Sequence, residues 1–339
     1  MKPSGNKNFY VNALIFVGVL IVAFLIAEKY YSLKVENMRK FAETFGCGQK
    51  SSSETGGSFE PDCSTAWIKT KGTEQIFNVE FHSDKFGRRS VPGEYPAADK
   101  NVIFFGGSDV LGAGVNDNET IPFYFSQLSP GSQVYNYAAQ AYGPQHLLQL
   151  LEKGFLHSEI RTDYNKNTLV FFFADEHIVR AAGSWRIAAY YGYKFPYYAL
   201  DSKGNLISKG DFESGGRFPA FMYQLKKSLI LEDLVYSISE YFEISAEDVR
   251  LTAKILESVK TQFESQFKNS KFLVVFSART SPKVKTQILP YLEGTKTASL
   301  DYSTLMDPEE KANRLLHDSH PNAKAYKSYA EQLAKDLER

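Results

Sequence analysis

From residue 101 onward one rhythm repeats: a short run that is apolar throughout, then a stretch with helical spacing. The apolar runs are NVIFFG (101–106), QVYNYA (133–138), LVFFFA (169–174) and FLVVFSA (272–278). Helical spacing marks 121–128, 144–155, 220–242, 246–267 and 321–337. A strand that is apolar on both sides leaves no face for water, so it belongs in a sheet covered on both faces. Alternation with helices makes the strands parallel and the fold class α/β, with a central parallel sheet. Ligands of such sheets sit at the carboxyl ends of the strands, which directs attention to the segments after 106, 138 and 174.

The first of these ends reads FFGGSDVLGAG (104–114), a serine, Ser108, on a glycine-rich turn. A phosphate-binding loop needs a lysine and a hydroxyl residue after its last glycine, and GGSDVLGAGV has no lysine. A dinucleotide fingerprint needs G-x-G-x-x-G, and neither Gly106 nor Gly112 starts one. The G-x-S-x-G elbow fails at Val110. A serine nucleophile served by a base from elsewhere is what remains, with Asp109 capping or buttressing the turn.

LHDSHPNAKAY (316–326) offers that base. Pro321 suits the first position of the last helix, whose stripe of Tyr326, Tyr329, Ala330, Leu333 and Leu337 docks it on the body. His320 then stands at a helix N-terminus, which disfavours an imidazolium and keeps the ring able to accept a proton. Asp318, two residues back, can orient the ring.

In order, these pieces resemble the SGNH (GDSL-type) hydrolases, a family of three-layer α/β/α serine esterases and acyltransferases. GGSDVLGAGV is similar to the first block of the family and VYNYAAQAYGPQHLLQLL to the second. DSHPNAKAY is similar to the last, and HSDKFGRR (82–89) to the segment that often precedes the first. The resemblance spans about 77–337 and implies a Ser108–His320–Asp318 triad; the family's aspartate often stands three before the histidine, which makes His317 the runner-up to Asp318. It implies an oxyanion hole built from the backbone N–H groups of Ser108 and Ala141 plus a third-block donor. Alanine stands at 141 where the family has glycine. The third block departs further: LVFFF runs into ADEHIVR, with Asp175 in the place of the family's asparagine. An ionised carboxylate cannot donate a hydrogen bond. Either Asp175 stays protonated, or His177 takes the donor role, or the site is weakened; Asp175 and Glu176 can equally end the strand and cap the next segment.

YVNALIFVGVLIVAFLIA (10–27) is apolar on all sides, just long enough to cross a bilayer, and followed by a poor signal-peptidase site. It reads as a transmembrane signal anchor behind a tail of residues 1–9. Lys2 and Lys7 precede it, and Lys29, Lys34, Arg39 and Lys40 follow it, which leaves its orientation undecided. The two cysteines, Cys47 and Cys63, bracket a polar loop and fit no zinc spacing. Read as a disulfide, they place the main domain outside the cytoplasm, on an inner membrane. The expected organisation is therefore tail, anchor (10–27), membrane-proximal segment (28–76) and SGNH-like domain (77–339). Within 28–76, residues 28–46 form a short amphipathic helix with Tyr31, Val35, Met38, Phe41 and Ala42 on one stripe. Residues 181–245 form an insertion over the active-site face, with a hairpin turning at Lys203-Gly204-Asn205. The aromatic run 185–200 suits core packing before sugar stacking, and Arg180 and Arg186 suit a solvated face.

Basic and acidic residues balance at 39 each, so no global field recruits nucleic acid. No metal cluster and no cofactor are implied. The expected activity is hydrolysis of acyl esters, such as acetyl esters, of an extracytoplasmic carbohydrate or envelope molecule. The alternatives are an O-acyltransferase with the same triad and a non-catalytic binding or assembly protein of the same fold.

Overall fold

The apolar N-terminal run lies in a helix, α1 (Asn6–Met38), whose segment Ala13–Leu33 is unburied and long enough to span a bilayer. The computed structural model describes residues 6–38, 41–48, 59–93, 95, 97–183, 195–212, 228, 230–231 and 244–338. The amphipathic helix expected over 28–46 is not formed as such. α1 runs on to Met38, and Phe41–Thr44 is a strand, β1, because its backbone pairs with β2 (Ser64–Lys71). β2 in turn pairs antiparallel with β3 (Glu74–His82), which crosses the boundary expected at 76/77. Phe45, Phe59, Trp67, Phe77 and Phe81 fill this three-stranded sheet with edge-to-face and tilted ring contacts. Cys47 and Cys63 are joined by a disulfide beneath it.

The chain then enters the alternating region. β4 (Lys100–Phe105) leads into a single turn of helix, α2 (Ser108–Leu111), then α3 (Ile121–Leu128) and β5 (Ser132–Asn136). The helix expected over 144–155 breaks into α4 (Pro144–Glu152) and α5 (Phe155–Glu159) at Gly154, whose φ of 71° no helix accommodates. β6 (Lys166–Phe173) and α6 (Glu176–Ala182) come next, then the expected hairpin of β7 (Pro196–Leu200) and β8 (Leu206–Asp211). α7 (Ala246–Gln266) starts from a Ser245 cap and leads into β9 (Ser270–Phe276). α8 (Pro282–Gly294), β10 (Ala298–Asp301) and α9 (Ala323–Glu338) complete the chain. The helix read over 220–242 lies outside the described residues.

β5, β4, β6, β9 and β10 form, in that order, a five-stranded parallel sheet. The three inner strands, β4, β6 and β9, are buried on both faces: Phe104 meets Phe125 of α3 on one side, while Phe105 stacks on Tyr142 on the other. α3 and α9 pack together on the first face; α4, α6, α7 and α8 form the second layer. This is the three-layer α/β/α arrangement. The chain leaves β4 toward β5 on one side and leaves β6 toward β9 on the other. The sheet therefore has its switch point between the carboxyl ends of β4 and β6, where a crevice opens for a ligand.

The small sheet and the large one share a single hydrophobic core. Arg89 ties them together. Its buried guanidinium pairs with Asp117 and donates to the carbonyls of Leu111, Gly112 and Val115, closing the glycine-rich turn after Ser108.

Candidate functional site

β4 ends in Gly106-Gly107, and Ser108 opens α2 immediately afterwards, at the sheet's switch point. Gly107 is required there by its surroundings. A Cβ on it would sit 2.6 Å from Arg180 Nη1 and 3.5 Å from His177 Nε2. Two basic side chains thus converge beside the residue preceding Ser108.

The three residues read as a triad are brought together. Ser108 Oγ lies 2.9 Å from His320 Nε2, and His320 Nδ1 lies 2.5 Å from Asp318 Oδ1. A neutral ring with its proton on Nδ1 donates to Asp318 and accepts from the serine hydroxyl, the polarity a general base needs. Asp318 Oδ1 also accepts the His320 backbone N–H at 2.9 Å, so the two residues form a closed turn. The Asp318 side chain is 4% exposed, against 24% for His320. Burial works to raise its carboxyl, but hydrogen bonds from His320 and Lys69, with the field of His320, hold it far below the usual carboxylate range.

The expected placement of His320 at a helix N-terminus is not what holds it. α9 begins at Ala323, and Asn322 caps it by accepting the Ala325 N–H. Pro321 sits ahead of the cap in a bridge with Arg314, because the 314–321 stretch closes on itself before the helix starts. The ring is fixed by Asp318 instead. His317, the runner-up partner, points elsewhere: its ring nitrogens lie 3.5 Å from Lys71 Nζ and 3.5 Å from Glu74 Oε2.

Ala141 takes φ 61°, the left-handed conformation glycine would adopt freely, in a turn closed by Tyr142 N–H to Ala139 O. Alanine bears the strain there under a small cap of Phe195, Phe212, Val179 and Tyr197. Phe195 and Tyr198 are buried, and Tyr198 donates to Glu152, so this end of the aromatic run is core. Residues 184–194, Arg186 among them, lie outside the described residues.

Asp175 and His177 separate cleanly. Asp175 Oδ1 accepts the Ser281 N–H at 2.9 Å, stitching the end of β6 to the start of α8. Burial raises its carboxyl above the usual range, and hydrogen bonds with Ser281 offset only part of that rise. One oxygen of its carboxyl group is committed to that loop. The His177 ring is fully buried, and its Nδ1 accepts the Ala174 N–H at 2.9 Å. Burial, followed by the charge of Arg180, pushes the imidazole down to about 3, so it is neutral. With Nδ1 accepting, the ring proton resides on Nε2. Among the described residues that Nε2–H has no partner, and it lies beside Gly107. A buried, unpartnered donor next to a serine on a strand end is poised to meet an acceptor on a ligand.

Arg180, expected on a solvated face, is buried: Nη1 donates to Tyr142 O at 2.9 Å, bracing the Ala141 turn against α6. The helical spacing EHIVR carries this signal, since Arg180 falls one turn after Glu176 and on the face of His177. Asp109 pairs with Arg279, 3.2 Å away, so it buttresses rather than caps. Among the described residues no group of three histidine, cysteine or carboxylate side chains is arranged to hold a metal ion.

No family model matches the chain, and no curated protein matches it. Solved structures do. A member of the lipolytic G-D-S-L family from Veillonella parvula is 12% identical with TM-score 0.37, over 71% of this chain and 99% of that one. The psychrotrophic esterase EstA from a Pseudoalteromonas species is 9% identical with TM-score 0.39, over 70% and 99%. An acetyl xylan esterase from Geobacillus stearothermophilus is 11% identical with TM-score 0.40, over 72% and 97%.

Proposed function

We propose that the protein is a serine ester hydrolase of the SGNH type. The observation that carries this is the unbroken hydrogen-bond chain from Ser108 Oγ through His320 to Asp318 at the switch point of a parallel sheet. In this reading Ser108 Oγ attacks the ester carbonyl as its proton passes to His320 Nε2. The ester π-bond becomes an oxyanion, which the N–H groups of Ser108 and Ala141 and the Nε2–H of His177 receive. Collapse breaks the C–O bond, and His320 returns the proton to the departing alcohol. Water then repeats the sequence on the acyl-enzyme, releasing acid and free serine. Each oxyanion donor contributes roughly 3 kcal/mol of transition-state stabilisation.

Two features support a finer reading. α1 carries an apolar stretch of bilayer length, and the Cys47–Cys63 disulfide suits an oxidising compartment. We place the enzyme as a single-pass anchored protein with its α/β domain outside the cytoplasm. There it acts on acyl esters, such as acetyl esters, of a carbohydrate or envelope molecule.

The test is turnover of p-nitrophenyl acetate by the full chain in detergent. The unsubstituted protein should release p-nitrophenol, and Ser108→Ala should lower kcat by about 10³-fold or more. Equal rates for the two would remove the enzyme reading. Ester appearing on an added oligosaccharide, in place of free acetate, would replace hydrolysis with acyl transfer.

A further inference from the structure

Asp318 is not held by its own turn alone. Its second oxygen, Oδ2, accepts a hydrogen bond of 2.6 Å from Lys69 Nζ, 249 residues earlier in the chain. Lys69 belongs to β2, in the small N-terminal sheet. The contact is part of a wider seam, because Lys71 and Glu74 from the same hairpin flank His317. Phe77 of β3 closes on the glycine-rich turn: a Cβ on Gly114 would meet Leu315 and the Phe77 ring.

We propose that Lys69 is a positioning residue for the Ser108–His320–Asp318 site, so that the membrane-proximal sheet completes the site. This rests on the ester-hydrolase reading. The geometry has two physical effects. With only Oδ1 engaged, through its two bonds to His320, the Asp318 carboxylate would keep more freedom about its last torsion and hold the His320 ring less firmly. Lys69 holds the second oxygen and limits that freedom. The ammonium also opposes the pull of Asp318 on an imidazolium, so the Lys69 charge helps to set the pH at which the base is available.

The other groups facing the pair are few. Ser108 meets His320 directly. The buried Tyr326 phenol of α9 lies within the field of Asp318, with Asp109, Arg89 and Arg279 around it. Among the described residues, Lys69 and His320 are the charged or titratable side chains hydrogen-bonded to Asp318.

The experiment compares Lys69→Met and Lys69→Arg with the unsubstituted full chain, reading kcat and KM for p-nitrophenyl acetate across pH. Lys69→Met should lower kcat about tenfold with KM little changed. The acid limb of its profile should move to higher pH by about half a unit or more. Lys69→Arg, which keeps the charge, should keep the limb in place. In a Ser108→Ala background, which lacks the nucleophile, NMR of the histidine rings reads the same effect. Lys69→Met should move the transition of the His320 ring to higher pH, and Lys69→Arg should leave it. Loss of ester hydrolysis in the parent would defeat the functional reading while the ring titration still judged Lys69. If Lys69→Met fails to fold, Lys69→Gln replaces it, with the same shift expected. An unmoved ring transition in the neutral variant, or equal shifts in the neutral and Arg variants, would overturn the inference.

Discussion

His177 Nδ1 accepts the Ala174 N–H, and Nε2 therefore carries the ring's proton. That assignment rests on one hydrogen bond, and it leaves a neutral N–H donor beside Gly107, which the proposed function uses at the oxyanion. His177→Ala should lower kcat for p-nitrophenyl acetate by about 10²- to 10³-fold with a smaller effect on KM. Gly107 is equally constrained. In Gly107→Ala the new methyl must displace the Arg180 guanidinium, a backbone-braced group, and should cost about 1–3 kcal/mol in denaturant unfolding.

The buried imidazoles also set a pH dependence. Burial, then the charge of Arg180, pushes both His146 and His177 down to about 3. An unfolded chain would protonate them near pH 6.5, so between about 6.5 and 3 the unfolded state binds up to two more protons than the folded one. Stability from these groups is present above pH 6.5 and is lost as pH falls. The slope approaches roughly 2.7 kcal/mol per pH unit for two sites. Urea midpoints measured from pH 7 to 4 should show it, and His146→Phe should halve the slope; an unchanged slope would contradict the assignment. That Ser108, His320 and Asp318 should come together was legible because each lies in a short local pattern. Lys69 was not, since nothing near residue 69 points to a partner 249 positions away.

At the scale of elements, the strands that could be read were those buried on both faces. β4, β6 and β9 carry continuous apolar runs because the sheet leaves them no wet side. β2 escaped the reading, since STAWIKTK mixes polar and apolar residues on a strand whose faces are only partly covered. β10 is four residues long and carries too little pattern. α8 opens with Ser281-Pro282, a start signal that was present but not used. The disulfide was readable because only two cysteines exist to pair. It closes a separation of 16 residues under the sheet that carries Lys69. By the chain-entropy argument its reduction should cost about 3 kcal/mol of stability. Thermal melts with and without reductant measure this, and a shift confined to error would show that the small sheet is held by its aromatic core alone.

For the whole molecule, the switch point of the sheet decides where chemistry can occur, and the three chain segments that meet there come from β4, β6 and the approach to α9. The Ala13–Leu33 stretch of α1 is unburied and long and apolar enough to cross a bilayer. Full-length protein should stay with membranes through alkaline carbonate extraction, whereas release into the supernatant would contradict anchoring. The central claim is that Ser108 is a nucleophile made reactive by His320. An alkyl fluorophosphonate probe tests it most directly, with mass spectrometry of the intact protein and of its peptides as the readout. One covalent adduct is expected on the peptide containing Ser108, absent in Ser108→Ala and strongly slowed in His320→Ala. A protein left unmodified, or labelled equally in all three, would contradict it.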